Sequence, residues 1–189
     1  QRQMCIRDSG EGAFYGPKID LHVKDAIGRR WQLSTIQVDF AQPDNFDLQF
    51  VDSNNKRVKP VMIHRALLGS IERFTGILIE NYAGEFPGWL SPVQVKILTI
   101  GDVSNYVNKI TKSIKGFRYE VDDRNLRLGE KLHDASKDRI PITLIVGEKD
   151  ELSNTLAINI RSQENQQNVK YEDAIKQIKA NLKTPIFKI

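Results

Sequence analysis

The sequence predicts an α/β chain in two parts. The first part rests on antiparallel strands, and in the second strands and helices alternate. Three observations carry this. Residues 19–23 and 31–40 read as two strands about a hairpin turn. Residues 93–182 run strand, helix, strand, helix, strand, strand, helix. Between them, residues 83–92 hold Gly84, Pro87, Gly88 and Pro92, the strongest boundary signal in the chain.

Each element follows from its residues. Gly10–Gly16 is a glycine-rich turn. Ile19–Val23 alternates apolar and polar side chains, and Ala26–Arg29, with Gly28, supplies the hairpin turn. Trp31–Phe40 returns, with Leu33, Thr35, Gln37 and Asp39 on one face and Gln32, Ser34, Ile36, Val38 and Phe40 on the other. Polar groups on both faces suit a strand that lines a polar pocket. Residues 42–59, with Pro43 and Asn54-Asn55, read as a loop plus an irregular edge. Val61–Ala66 is expected to be a short buried strand. The following helix, Ser70–Tyr82, aligns Ile71, Phe74, Ile77, Leu78 and Ile79. In the second part, Val93–Ile100, Phe117–Val121, Ile142–Val146 and Leu156–Ile160 are strands. Val103–Lys115, Leu128–Asp138 and Tyr171–Leu182 are helices, the last opening on Glu172 and Asp173, which suit a helix N-terminus.

Composition narrows the class. The chain has 189 residues, 40% of them hydrophobic, enough for one large or two small domains. No apolar run approaches the ~20 residues of a membrane span, and no secretory pattern opens the chain, so a soluble cytoplasmic protein is expected. The single cysteine, Cys5, excludes an internal disulfide framework and any multi-cysteine zinc site within this chain. The net charge of +4 lies wholly in residues 91–189, which hold 17 basic and 13 acidic side chains. A modest basic excess suits a nucleic-acid-contacting module, although a solvated lysine-rich surface would look the same. Residues 1–9 lack periodicity. Their Met-Cys-Ile-Arg-Asp-Ser core reads as a non-native leader resembling translated sequencing-adapter remnants, so Cys5 and Arg7 are given no function.

Residues 60–73, Pro-Val-Met-Ile-His-Arg-Ala-Leu-Leu-Gly-Ser-Ile-Glu-Arg, bear the most chemistry. A histidine in an apolar run, His64, precedes a break at Gly69-Ser70. Arg73 follows in the first turn of a helix. Helix N-termini offer free N–H groups to anions, and an arginine there is disfavoured by the macrodipole unless it serves an anionic ligand. Taken singly, His64 fits a core histidine, Ser70 a helix N-cap, Gly69 a turn and Lys18 a surface lysine. Gly10-Glu-Gly-Ala-Phe-Tyr-Gly-Pro-Lys18 lacks the spacing and the preceding strand of a dinucleotide loop.

The 60–73 stretch resembles motif 3 of the class II aminoacyl-tRNA synthetases. Ala-Phe-Tyr-Gly-Pro-Lys-Ile-Asp20 and Trp31-Gln-Leu-Ser-Thr-Ile-Gln-Val-Asp-Phe40 resemble the threonyl branch of that family. Asp123-Arg-Asn-Leu-Arg-Leu-Gly-Glu-Lys131, Arg139-Ile-Pro-Ile142 and Val146-Gly-Glu-Lys149 resemble its anticodon-binding domain. The resemblance implies residues 10–90 as the C-terminal part of an antiparallel-sheet catalytic domain, and residues 91–189 as an α/β anticodon-binding domain. It implies threonine–tRNA ligase activity in a longer parent. That parent would form threonyl-adenylate from threonine and ATP with Mg2+, then load tRNA-Thr, as a cytoplasmic homodimer. By resemblance, Arg73 and Lys18 are catalytic, and Tyr15, Gln32, Gln37, Gly69 and Ser70 bind substrate or ATP. His64 is one of three zinc ligands, the other two lying upstream. Zinc of this kind would take the threonine amino and hydroxyl groups, rejecting valine for want of a hydroxyl. Asn125 and Asp150 fall at anticodon-contacting positions, Asp150 in place of a glutamate. Asn159 stands where an arginine is usual, and Arg161, expected on the same strand face, is the candidate to replace it. With motifs 1 and 2 outside these residues, the chain alone is expected to be inactive. The alternative is a non-catalytic synthetase-like protein that only binds RNA.

Overall fold

The computed structural model describes residue 10 and residues 12–185. The expected leader, residues 1–9, lies outside them. The chain forms two compact units that divide between Asn81 and Tyr82.

The first unit is built on a three-stranded antiparallel sheet. Strand β1 (Lys18–Lys24) and strand β2 (Arg30–Asp39) form the hairpin, and β2 also pairs with β5 (Met62–Ala66), giving the order β1-β2-β5. The hairpin turn is closed by Asp25, whose backbone N–H donates to the Arg29 carbonyl while its carboxylate accepts the N–H groups of Ile27 and Arg29. Residues 42–59 are more ordered than their polarity suggests. They hold most of a one-turn helix, α1 (Ala41–Asn45), and a small ladder of β3 (Phe50–Val51) and β4 (Arg57–Val58). Helix α2 (Ile71–Tyr82) follows β5, with Ile77 as its buried side chain.

The expectation that residues 61–66 form a buried strand is corrected. The strand is present, but Val61 and Ile63 are exposed. Within its own unit β5 is a sheet edge, so its apolarity does not translate into burial. Ile19, Leu21 and Ile36, on the same face as Ile63, are exposed as well.

The second unit is an α/β sandwich on a five-stranded sheet of order β10-β9-β8-β6-β7. Strands β6 (Val95–Ile100), β7 (Tyr119–Asp122) and β8 (Ile142–Gly147) are parallel; β9 (Thr155–Ile160) and β10 (Gln166–Lys170) continue antiparallel. Helices α3 (Ser104–Ser113) and α6 (Tyr171–Asn181) cover one face, where Val95, Ile97, Ile110, Ile114, Leu144, Ile158 and Ile178 form a dry core. Helix α4 (Leu128–Lys137) lies over β6 on the other face. Its Lys131 is buried and donates to the carbonyls of Thr99 and Asp122, tying the ends of β6 and β7 together. The short helix α5 (Glu148–Ser153) and strand β10 were not expected from the sequence. Glu172 and Asp173 lie in the first turn of α6 as expected, but no side chain caps that helix.

Candidate functional site

The sheet of the first unit has one polar face, and cross-strand register explains it. Residues directly opposite in adjacent strands share a face. Lys18 pairs with Gln37 and Gln37 with His64, so three candidate residues from three strands form a single row. The next row is Asp20, Thr35 and Ala66. Tyr15 joins the first row through its hydroxyl, which donates to Gln37 Oε1 at 3.3 Å. The loop carrying Tyr15 is fixed to the end of β2, because Phe40 N–H donates to the Tyr15 carbonyl and Val38 N–H to that of Pro17. Gly16 permits this closeness: a Cβ there would lie 2.1 Å from the Val38 carbonyl oxygen.

Gln32 reaches the same face by a route that alternation does not predict. Simple period-2 counting puts it opposite Gln37. A register shift between Leu21 and His22 sets Leu21 against Ser34 but His22 against Gln32, leaving Leu33 as the extra residue of a β-bulge. Bulges re-aim side chains in this way. Gln32 Nε2 accordingly lies 2.7 Å from Asp20 Oδ1 and 2.8 Å from Thr35 Oγ1. Gly69 lies against this bulge, in the left-handed region at φ +65°, with its Cβ position 3.2 Å from the Leu33 carbonyl oxygen. Its closest partner is therefore the chain's own backbone.

Two carboxylates anchor the face. Asp20 Oδ2 is 2.9 Å from Lys18 Nζ, and Oδ1 also accepts the Thr35 hydroxyl. Burial pushes the Asp20 carboxyl up, but Thr35 and Lys18 outweigh it and hold its pKa below the usual value. Asp39 is buried and accepts the backbone N–H groups of Ala41 and Gln42 at 2.9 Å each. His64 Nε2 lies 2.8 Å from Asp39 Oδ2. Against the upward push of burial, the Gln42 N–H, His64 and the Ala41 N–H lower the Asp39 pKa. Among the described residues no three His, Cys, Asp or Glu side chains gather as a metal cluster. His64 nevertheless fits a single ligand. With Nε2 on a carboxylate, Nδ1 is left as a donor atom, the arrangement usual for metal-bound histidines.

Ser70 caps α2, its hydroxyl accepting the Arg73 N–H at 3.2 Å. The Arg73 guanidinium lies 5.4 Å from the centroid of the Trp31 ring, and that of Arg29 lies 5.5 Å from it. Sequence reasoning named neither Asp20, Asp39 nor Trp31 as a site residue. Asp20 and Asp39 were findable, since each stands on an alternating strand at a position in step with a candidate residue.

In the second unit, Asn125 and Asp150 follow the C-terminal ends of the parallel strands β7 and β8, on either side of β6. Asn125 is exposed. The Asp150 carboxylate accepts the Gly147 N–H at 3.0 Å, closing the start of α5. Arg161 is placed differently. It lies beyond the end of β9, beside the start of β8, where its N–H donates to the Pro141 carbonyl. That is the opposite end of the sheet from Asn125 and Asp150. Its guanidinium donates to the carbonyls of Arg139, Glu85 and Phe86, so it braces the chain entering the unit, and it lines one cavity with Asn159 and Thr143. No helix among the described residues is long and apolar enough to cross a membrane.

Comparison with known proteins agrees with both halves. A family model for the tRNA synthetase class II core domain (G, H, P, S and T) matches residues 2–82, and one for an anticodon binding domain matches residues 94–181. The threonine–tRNA ligase of Clostridium tetani (strain Massachusetts / E88) is 50% identical over 159 residues, 82% of this chain and 25% of that protein. The threonine–tRNA ligase of Aquifex aeolicus (strain VF5) is 48% identical over 179 residues, 93% of this chain and 28% of that protein. The chain thus spans about a quarter of the length of these relatives. The crystal structure of the RNA binding domain of threonyl-tRNA synthetase from Cryptosporidium parvum Iowa II aligns with a TM-score of 0.77 at 30% identity, over 90% of this chain and 44% of that one.

Proposed function

The chain belongs to the class II aminoacyl-tRNA synthetases, and from that membership we propose that it is the C-terminal part of a threonine–tRNA ligase. In this reading residues 10–90 complete the catalytic core and residues 91–189 bind the anticodon. The whole protein joins threonine to ATP, releases pyrophosphate, and transfers threonine to the 3′ end of tRNA-Thr. It acts in the cytoplasm as a homodimer.

One observation carries the reading: Lys18, Gln37 and His64 stand in one row across three strands, with Tyr15 hydrogen-bonded to Gln37. Lys18 and Arg73 offer fixed positive charge to the phosphates of ATP, which arrives with Mg2+, and stabilise the charge that develops as pyrophosphate leaves. Tyr15, Gln32 and Gln37 line the threonine and nucleotide pocket, their amides able to donate and accept. Gly69 and Ser70 shape the turn that presents Arg73. His64 would hold zinc through Nδ1 with two ligands from elsewhere in the protein. When bound, that ion supplies open positions for the amino and hydroxyl groups of threonine. Asn125 and Asp150 are the side chains we assign to unpaired anticodon bases, whose edges are accessible.

The test is threonine-dependent exchange of pyrophosphate into ATP by the whole protein that contains these residues. The 189-residue chain alone is expected to give none. A whole protein that binds tRNA without exchange would favour a purely RNA-binding role.

A further inference from the structure

We propose that Asp20 is the positioning residue of the polar face, one carboxylate that sets both the place of Lys18 and the orientation of the Gln32 amide. The proposal rests on the synthetase reading above.

The argument is one of donors and acceptors. An ionised carboxylate only accepts hydrogen bonds. Asp20 Oδ2 is 2.9 Å from Lys18 Nζ, and Oδ1 receives the Thr35 hydroxyl and the Gln32 amide, the latter at 2.7 Å. The amide atom facing Asp20 must then be nitrogen. Thr35, having given its proton to Asp20, accepts from the same nitrogen at 2.8 Å. Both contacts therefore hold the Gln32 NH2 group inward and leave its carbonyl oxygen as the atom offered to a ligand. Gln32 becomes an acceptor, suited to an amine or N–H of the substrate. A free glutamine would present either end.

The arrangement is local and specific to this fold. Lys18 and Asp20 alternate onto the polar face of β1. Thr35 comes from β2, and Gln32 joins only through the bulge at Leu33. The Asp20 side chain is 10% exposed and its bond to Thr35 is half-buried, while Gln32 is exposed and Lys18, at 21%, retains access to a ligand.

The experiment uses the whole protein and measures threonine-dependent pyrophosphate exchange for wild type, D20N, D20E, K18A and D20N/K18A, with thermal melting of each. Misplacing a catalytic group by about 1 Å can cost on the order of 100-fold in rate. We expect D20N to lose at least about tenfold in kcat/KM, with a raised KM for ATP and a melting temperature close to wild type. D20E should recover part of the loss. In the K18A background D20N should cost clearly less, because part of its effect passes through Lys18. Should D20N melt early, T35V replaces it, since it removes the hydroxyl bridge and keeps the side-chain shape. Wild-type exchange by D20N, or an equal cost with and without Lys18, would overturn the proposal while leaving the synthetase reading intact. Wild type without exchange would overturn the reading and this inference together.

Discussion

The indole N–H of Trp31 donates to the buried carboxylate of Asp25 at 2.9 Å, and the same Trp31 ring lies under the Arg73 guanidinium. The hairpin turn is thus linked to the first turn of α2 through one aromatic side chain. The carboxylate also receives Arg29 Nε at 2.5 Å and two backbone N–H groups.

That relationship predicts an acid-sensitive hinge. Burial alone would raise the Asp25 carboxyl, but Trp31 and the Arg29 side chain and backbone bring it from 3.8 down to about 2. A depressed carboxylate stabilises the fold above its unfolded value, so its contribution is complete above about pH 4 and is lost as pH falls toward 2. Asp20, Asp39 and Asp122 are lowered too and share the acid slope. Urea denaturation between pH 5 and 2 should therefore show a shallower acid slope for D25N than for wild type. Parallel slopes would assign the acid sensitivity elsewhere.

Lys131 offers a stability test in the second unit. K131A leaves a cavity and two buried carbonyls without their donor, so a loss of about 2–4 kcal/mol is expected in denaturant unfolding. K131M fills the space and should cost less, which separates the packing contribution from the hydrogen bonds.

Asn125 and Arg161 should part company. N125A is exposed and should leave the melting temperature unchanged while weakening tRNA binding. R161A removes donors to three carbonyls and should lower stability by about 1–3 kcal/mol. Binding titrations beside melting curves distinguish the two, and a stable R161A with weakened RNA binding would make Arg161 a direct contact.

G69A should be costly despite its small size. Residue 69 sits at φ +65°, and a methyl group would press on the Leu33 carbonyl. A loss of about 1–2 kcal/mol is expected, accompanied by weaker activity because the bulge beneath it orients Gln32. Calorimetry and exchange assays on the whole protein check both.

The metal assignment rests on His64. H64A in the whole protein should abolish bound zinc as measured by elemental analysis, and D39N should reduce it in part, since Asp39 holds the imidazole. Undiminished zinc in H64A would remove His64 from the ligand set.

Most elements were legible because their periodicity is strong. The hydrophobic strands Val95–Ile100 and Ile142–Gly147, and the spacing of Tyr106, Ile110 and Ile114, declare themselves. What escaped has physical causes. Strand β10, Gln-Gln-Asn-Val-Lys, is an edge with few β-forming residues, held by pairing to β9. The burial of residues 61–66 was misread because apolar composition cannot say whether anything in the same chain covers it. The face of Gln32 was misread because a bulge is fixed by pairing to the neighbouring strand and leaves no mark in the alternation. Arg161 keeps the face of Asn159, but its hydrogen bonds to the chain entering the unit depend on residues far away in sequence and leave no mark in the alternation.

The bulge at Leu33 also sets what kind of genetic change this segment can absorb. A substitution at Ser34 or Ile36 alters one side chain. Deleting the codon for Leu33 would remove the extra residue and leave Gln32 two residues from Thr35, so regular alternation would keep both on one face. Loss of one residue should therefore be better tolerated at this bulge than in a regular strand, where it turns every side chain beyond it to the other face. Such a deletion would keep the hairpin and the donors around Asp20, and would remove the Leu33 carbonyl that lies against Gly69.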